Sequence, residues 1–182
     1  MAEEYRPKIS DIIIFKGEGF TFKFLSRLLK LFEKDWDRWG WHMTFISGRN
    51  EVTGWMICEM LADGLNFTPL YKYNNRNYKV YRWFDIEPTG HQMRAWIERN
   101  INARYDIIQY PWTMIAFLLR RYFNKPIPKL LNNMWTCWES IFALGYEFGK
   151  EIPSKYDCET ITDFLKVVKN TLIYEHYNNN NE

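Results

Sequence analysis

The alternation of apolar and polar positions divides the chain into elements. Asp11-Ile-Ile-Ile-Phe15 is a β-branched run closed by Gly17 and Gly19, which predicts a buried strand followed by a turn. From Phe22 the period changes. Phe24, Leu25, Leu28, Leu29 and Phe32 recur at helical spacing with Lys23, Arg27, Lys30 and Lys34 between them, an amphipathic helix ending near Asp35. A tryptophan-dense loop, Trp36 to Trp41, leads into a second strand, His42-Met-Thr-Phe-Ile46, ending at Ser47-Gly48. Trp55 to Leu61 reads as a third strand, and Asp63-Gly64 is a turn signal before Leu65-Asn-Phe-Thr. Asn77 to Phe84 alternates between two faces as a further strand.

The second half is mostly helical. Thr89 is a candidate cap for a helix to Asn100 that sets Met93, Trp96, Ile97 and Ile101 on one side. Asp106 to Tyr122 predicts a longer helix with Pro111 in its first turns, broken by Lys125-Pro-Ile-Pro128. Trp135 to Phe148 carries Cys137, Ile141, Leu144 and Phe148 on one stripe, with Gly149 as C-terminal cap. A last helix is expected from Thr160 to Tyr174, and 176–182 as a frayed polar tail. No repeat or long linker divides the chain, so 1–182 is expected to be a single domain.

Composition narrows the function classes. The 182 residues are 47% hydrophobic and 25% charged, which excludes a disordered or fibrous chain. Aromatic residues make up 19%, so large flat side chains must fill a core, line a cleft, or do both. The formal net charge of +2 offers no concentrated basic face for nucleic acid. The uncharged stretch Ile107 to Leu119 falls short of the roughly 20 apolar residues of a membrane span, so no integral membrane segment is expected. The N-terminal Met-Ala-Glu-Glu-Tyr-Arg lacks the apolar stretch of a secretory signal, which points to a cytoplasmic protein. Cys58, Cys137 and Cys158 are odd in number and contain no CxxC pair, so neither a disulfide framework nor a zinc site is signalled.

Chemistry can sit in three places. Cys137 opens an apolar helix, where free backbone N–H groups and the positive end of the helix dipole stabilise a thiolate. The plain alternative is a small core residue on the Leu144 and Phe148 stripe. Glu59 is an acid inside an otherwise apolar strand and needs a partner when covered. Strand alternation sends Cys58 to the opposite face, into the core. His42, on the neighbouring predicted strand, is the natural partner for Glu59, although a partly buried structural histidine fits its position too. His91, in a helix first turn, and His176, in the tail, are weaker candidates. A thiol at a helix start, an imidazole on a strand and an orienting carboxylate form the constellation of a nucleophile, its base and the group that aligns the base.

Four blocks in this order resemble the permuted papain-like group of the NlpC/P60 superfamily, which includes YiiX/YaeF-type proteins and, more remotely, lecithin:retinol acyltransferase-like enzymes. They are Asp11-Ile-Ile-Ile-Phe-Lys-Gly-Glu-Gly19, Trp41-His-Met-Thr-Phe-Ile46, Met56-Ile-Cys-Glu-Met-Leu-Ala-Asp-Gly-Leu65 and Trp135-Thr-Cys-Trp-Glu-Ser-Ile141. Ala103-Arg-Tyr-Asp106 is similar to the family's Tyr-Asp element. The resemblance spans most of residues 9–165 and implies an α+β, circularly permuted papain-like fold with an antiparallel sheet packed against helices.

It further implies Cys137 as nucleophile, His42 as general base, Glu59 as third member, and no metal or organic cofactor. Trp138 stands where a small residue is usual, which narrows the pocket, and Glu139 matches the acid of the family's Cys-Ser-Glu element. Trp41, Trp135 and Trp138 flank the reactive residues and are expected to wall a substrate cleft, with ordinary core packing as the alternative. The expected activity is a cysteine hydrolase, an amidase or peptidase, acting on a small peptide or amide. The alternatives are an acyltransferase or thioesterase acting on lipid-like esters with the same triad, and a papain-like binding or structural module with an unreactive thiol. No motif sets the oligomeric state.

Overall fold

A computed structural model describes residues 5–17, 42–61, 63–105, 134–150 and 161–177. The predicted helices over 22–35 and 106–122, the 125–128 break and Cys158 lie outside the described residues.

The chain is a mixed α+β structure built on a six-stranded antiparallel sheet. In chain order its described strands are β1 (Ile12–Phe15), β2 (His42–Asn50), β3 (Gly54–Leu61), β4 (Gly64–Pro69), β5 (Tyr78–Tyr81) and β8 (Leu172–His176), in spatial order β4-β3-β2-β1-β5-β8. A short parallel pair, β6 (Arg104–Tyr105) and β7 (Met134–Trp135), forms a separate two-stranded sheet. Among the described residues the α-helices are α1 (Gly90–Asn100), α2 (Cys137–Glu147) and α3 (Ile161–Val168).

β1 is apolar at all four positions because both of its faces are covered. Ile12 and Ile14 join Met43, Phe45 and Cys58 in the larger core cluster, with Trp96 of α1, Ile141 and Leu144 of α2, and Phe164 of α3. Ile13 and Phe15 point the other way, into a smaller cluster with Ile46, Ile57, Tyr78 and Val80. The period of two thus sorts neighbouring residues into different cores. At the β3–β4 hairpin the Asp63-Gly64 turn forms as expected. Gly64 has φ +115°, and a Cβ there would lie 3.1 Å from the Ala103 carbonyl oxygen, so a side chain at this position is strained.

α1 starts where the cap signal lies. Thr89 Oγ1 accepts from the Gln92 amide at 3.2 Å, and Gln92 Oε1 accepts from the Thr89 amide at 2.9 Å. Met93, Trp96 and Ile97 are buried as expected, whereas Ile101 is 48% exposed, because the helix ends at Asn100. β2 runs past Gly48 to Asn50 across a bulge, and β5 stops at Tyr81, leaving Trp83 and Phe84 to enter the core from a non-strand segment.

The chain end departs most from expectation. The predicted helix over 160–174 stops at Val168, and a 3₁₀ turn at Lys169–Thr171 leads into β8. β5 would otherwise leave its outer N–H and C=O groups unpaired, and Leu-Ile-Tyr-Glu-His supplies the apolar and aromatic residues that suit pairing with it. His176, expected in a frayed tail, is the last residue of β8. Its ring stacks on Tyr78 at 4.7 Å, and its Nε2 bonds the Asn74 carbonyl at 2.9 Å. Residues 178–182 lie outside the described residues.

Candidate active site

Cys137 is the first residue of α2, and two local devices fix that helix start. Pairing of Tyr105 with Trp135 holds the backbone just before it. Thr136 then caps the helix. Its amide donates to Glu139 Oε2 at 2.8 Å, its hydroxyl donates to the same oxygen at 2.9 Å, and the hydroxyl accepts from the Glu139 amide at 3.4 Å. Glu139 is therefore the reciprocal partner in a capping box, a Thr-x-x-Glu pattern written in the sequence. Ser140 Oγ donates to the Cys137 carbonyl at 2.7 Å, and the Ser140 amide to the Thr136 carbonyl at 3.1 Å. The Cys137 amide sits at a position where no intrahelical acceptor exists. Because Thr136 is wholly buried, Thr136→Ala should cost about 1–2 kcal/mol, read as a lower urea midpoint with unchanged slope. An unchanged midpoint would mean the cap does not hold the helix.

His42 opens β2 opposite Phe15, on whose ring it stacks at 5.8 Å. Its Nε2 lies 2.8 Å from Glu59 Oε2. The register Thr44↔Glu59 puts the acid one diagonal step away on the same face, so the expected partnership of these two residues is present. The Cys137 side chain is among the groups that raise the pKa of the same ring. The imidazole is thus bonded to Glu59 and feels the Cys137 thiol, two of the groups singled out in the sequence. Its side chain is 15% exposed, Glu59 is 1% exposed, and Cys137 is 1% exposed.

Burial works against a charged imidazole, but hydrogen bonds with Cys137 and Glu59, and the charges of those groups, outweigh it. The His42 pKa is pushed up from 6.5 to about 9. Burial would likewise raise the Glu59 carboxyl, yet hydrogen bonds from His42, Thr68 and Tyr73 hold it below its ordinary value. Tyr73 donates to Oε1 at 3.0 Å and Oε2 at 2.8 Å, and Thr68 donates to Oε1 at 2.5 Å. Burial, with the Glu59 charge adding to it, pushes Cys58 up to about 12, so that thiol stays protonated in the core.

The raised imidazole ties stability to pH. The folded state holds the proton more tightly than the unfolded chain, so the stabilisation is complete below pH 6.5 and is lost as pH rises towards 9. Between about pH 6 and about pH 10 the wild type should lose more stability than His42→Gln, read as the change in urea midpoint. Parallel changes in the two proteins would contradict the shifted pKa.

Of the other expected site residues, Trp41 lies outside the described residues, and Trp135 and Trp138 are placed by their backbones, in β7 and at the second position of α2. His91 is exposed in the first turn of α1. Thr68 and Tyr73 were not singled out in the sequence. A threonine two positions from the Glu59 partner Asn66 on β4 was the one available signal, and it is weak. Among the described residues no group of His, Cys, Asp and Glu is arranged to hold a metal ion, and no helix is long and apolar enough to cross a membrane. No protein-family model matches the chain, and no curated protein matches it.

Proposed function

We propose that the chain is a cysteine hydrolase, an amidase or peptidase on a permuted papain-like scaffold, acting on a small peptide or amide. The observation that carries this reading is one imidazole bonded to Glu59 through Nε2, at 2.8 Å, whose pKa is raised in part by a cysteine that opens a helix.

His42 takes the Cys137 proton, and the thiolate attacks the substrate carbonyl carbon. The helix-start amide of Cys137 is positioned to donate to the oxyanion that forms. As the tetrahedral species collapses, the C–N bond breaks and the imidazolium gives its proton to the departing amine, leaving a thioester. His42 then removes a proton from water, hydroxide adds to the thioester, and the thiolate leaves with release of the carboxylic acid. Glu59 stays ionised throughout, balancing the imidazolium and fixing the ring.

The 1% exposure of Cys137 favours a second reading, a binding module on the same scaffold with a sulfur that meets no substrate. A panel of peptide, amide and ester electrophiles separates the two. The hydrolase reading expects covalent labelling of Cys137, located by peptide mass spectrometry, with amide or peptide probes ahead of esters. A preference for ester probes would indicate an acyltransferase or thioesterase. An unlabelled Cys137 under conditions that label a free thiol would leave the binding module.

A further inference from the structure

We propose that Tyr73 and Thr68 form a hydroxyl clamp on Glu59, making them positioning residues that hold the carboxylate against the His42 ring and so keep the other ring nitrogen turned to Cys137. This inference rests on the hydrolase reading and adds two residues to it.

The argument starts from the cost of the acid. Glu59 is 1% exposed in an apolar strand, and a carboxylate there neutralises unless several donors surround it. His42 supplies one, on Oε2. A carboxylate held by one donor can still rotate about its terminal torsion, which is broad. Tyr73 removes that freedom by bonding both oxygens, and Thr68 adds a second donor to Oε1. The His42-facing oxygen is thereby fixed.

The fold delivers both hydroxyls from one short stretch. The β3–β4 register pairs Ile57 with Thr68 and Glu59 with Asn66, so Thr68 lies diagonally from Glu59 on the same face. The 3₁₀ turn Leu70–Tyr73 then folds Tyr73 back over the sheet. There its ring packs on Phe15 at 4.6 Å, with the Arg76 guanidinium 6.0 Å above it, and Phe15 in turn stacks on His42. The ring contacts place the Tyr73 hydroxyl, and the hydroxyl places the acid. Tyr73→Phe separates these roles, because it keeps the ring and removes the donor.

The test compares the wild type with Tyr73→Phe, Thr68→Val and Thr68→Ser, each checked for folding by circular dichroism. The readouts are the pH titration of the Glu59 carboxyl carbon by NMR and the rate of Cys137 alkylation by iodoacetamide at neutral pH. In Tyr73→Phe and Thr68→Val the Glu59 midpoint should move up by about one pH unit or more, and alkylation should slow roughly threefold to tenfold. Thr68→Ser, which keeps the hydroxyl, should restore both. A folded Tyr73→Phe with an unmoved Glu59 midpoint overturns the clamp, and a moved midpoint with unchanged alkylation overturns the positioning role. Failure of the hydrolase reading shows separately, as a wild-type Cys137 that no acyl electrophile labels.

Discussion

Cys137→Ala is expected to abolish turnover while leaving the fold intact. The side chain is small and alanine suits a helix first turn, so the substitution removes the sulfur with little disturbance to the core around Ile141 and Leu144. Without the nucleophile no thioester forms, and general acid–base chemistry by His42 alone cannot replace it. Removal of a covalent nucleophile costs on the order of 10⁴-fold or more in rate. The measurement is turnover of the best amide or peptide substrate found by the electrophile panel, alongside a thermal melt. Activity within tenfold of wild type in the folded variant would remove Cys137 from the chemistry.

His42→Ala is expected to match that loss. The imidazole is bonded to Glu59 and, in the proposed reaction, serves the thiol, so its removal strips the thiol of its base and leaves Glu59 buried without its Nε2 partner. Two effects follow with different readouts. Turnover should fall on the order of 10⁴-fold. Stability should fall as well, because a buried carboxylate that loses a donor is costly. The thiol's dependence on the ring also predicts that His42→Ala and Cys137→Ala are not additive: the double variant should be about as slow as either single one. Additive losses would mean that the two side chains act apart.

The features read most directly from the sequence are those set by local rules. The Ile12–Phe15 run, the Thr89 cap, the Asp63-Gly64 turn and the Cys137 helix each follow from a period, a cap or a φ requirement within a few residues. The pairing of His42 with Glu59 was legible because an acid in an apolar strand demands a partner, and few histidines exist to supply one. Partners delivered by the three-dimensional path of the chain were not legible. Tyr73 reaches Glu59 only because a 3₁₀ turn folds back over the sheet, and Arg82 reaches the buried Asp11, at 2.9 Å, across 71 positions. The 172–176 strand was misread for a related reason. Its residues carry on the apolar spacing of α3, and only the open edge of β5 decides between helix and strand.

The central claim is that thiol, imidazole and carboxylate act as one unit, and the pH dependence of Cys137 alkylation by a small neutral reagent tests it most directly. In the wild type, alkylation at neutral pH should be fast, because His42 acts as the base for the thiol. In His42→Ala it should slow and lose the pH dependence that the ring imposes, and Glu59→Gln should fall between the two. Superimposable profiles for wild type and His42→Ala would contradict the account.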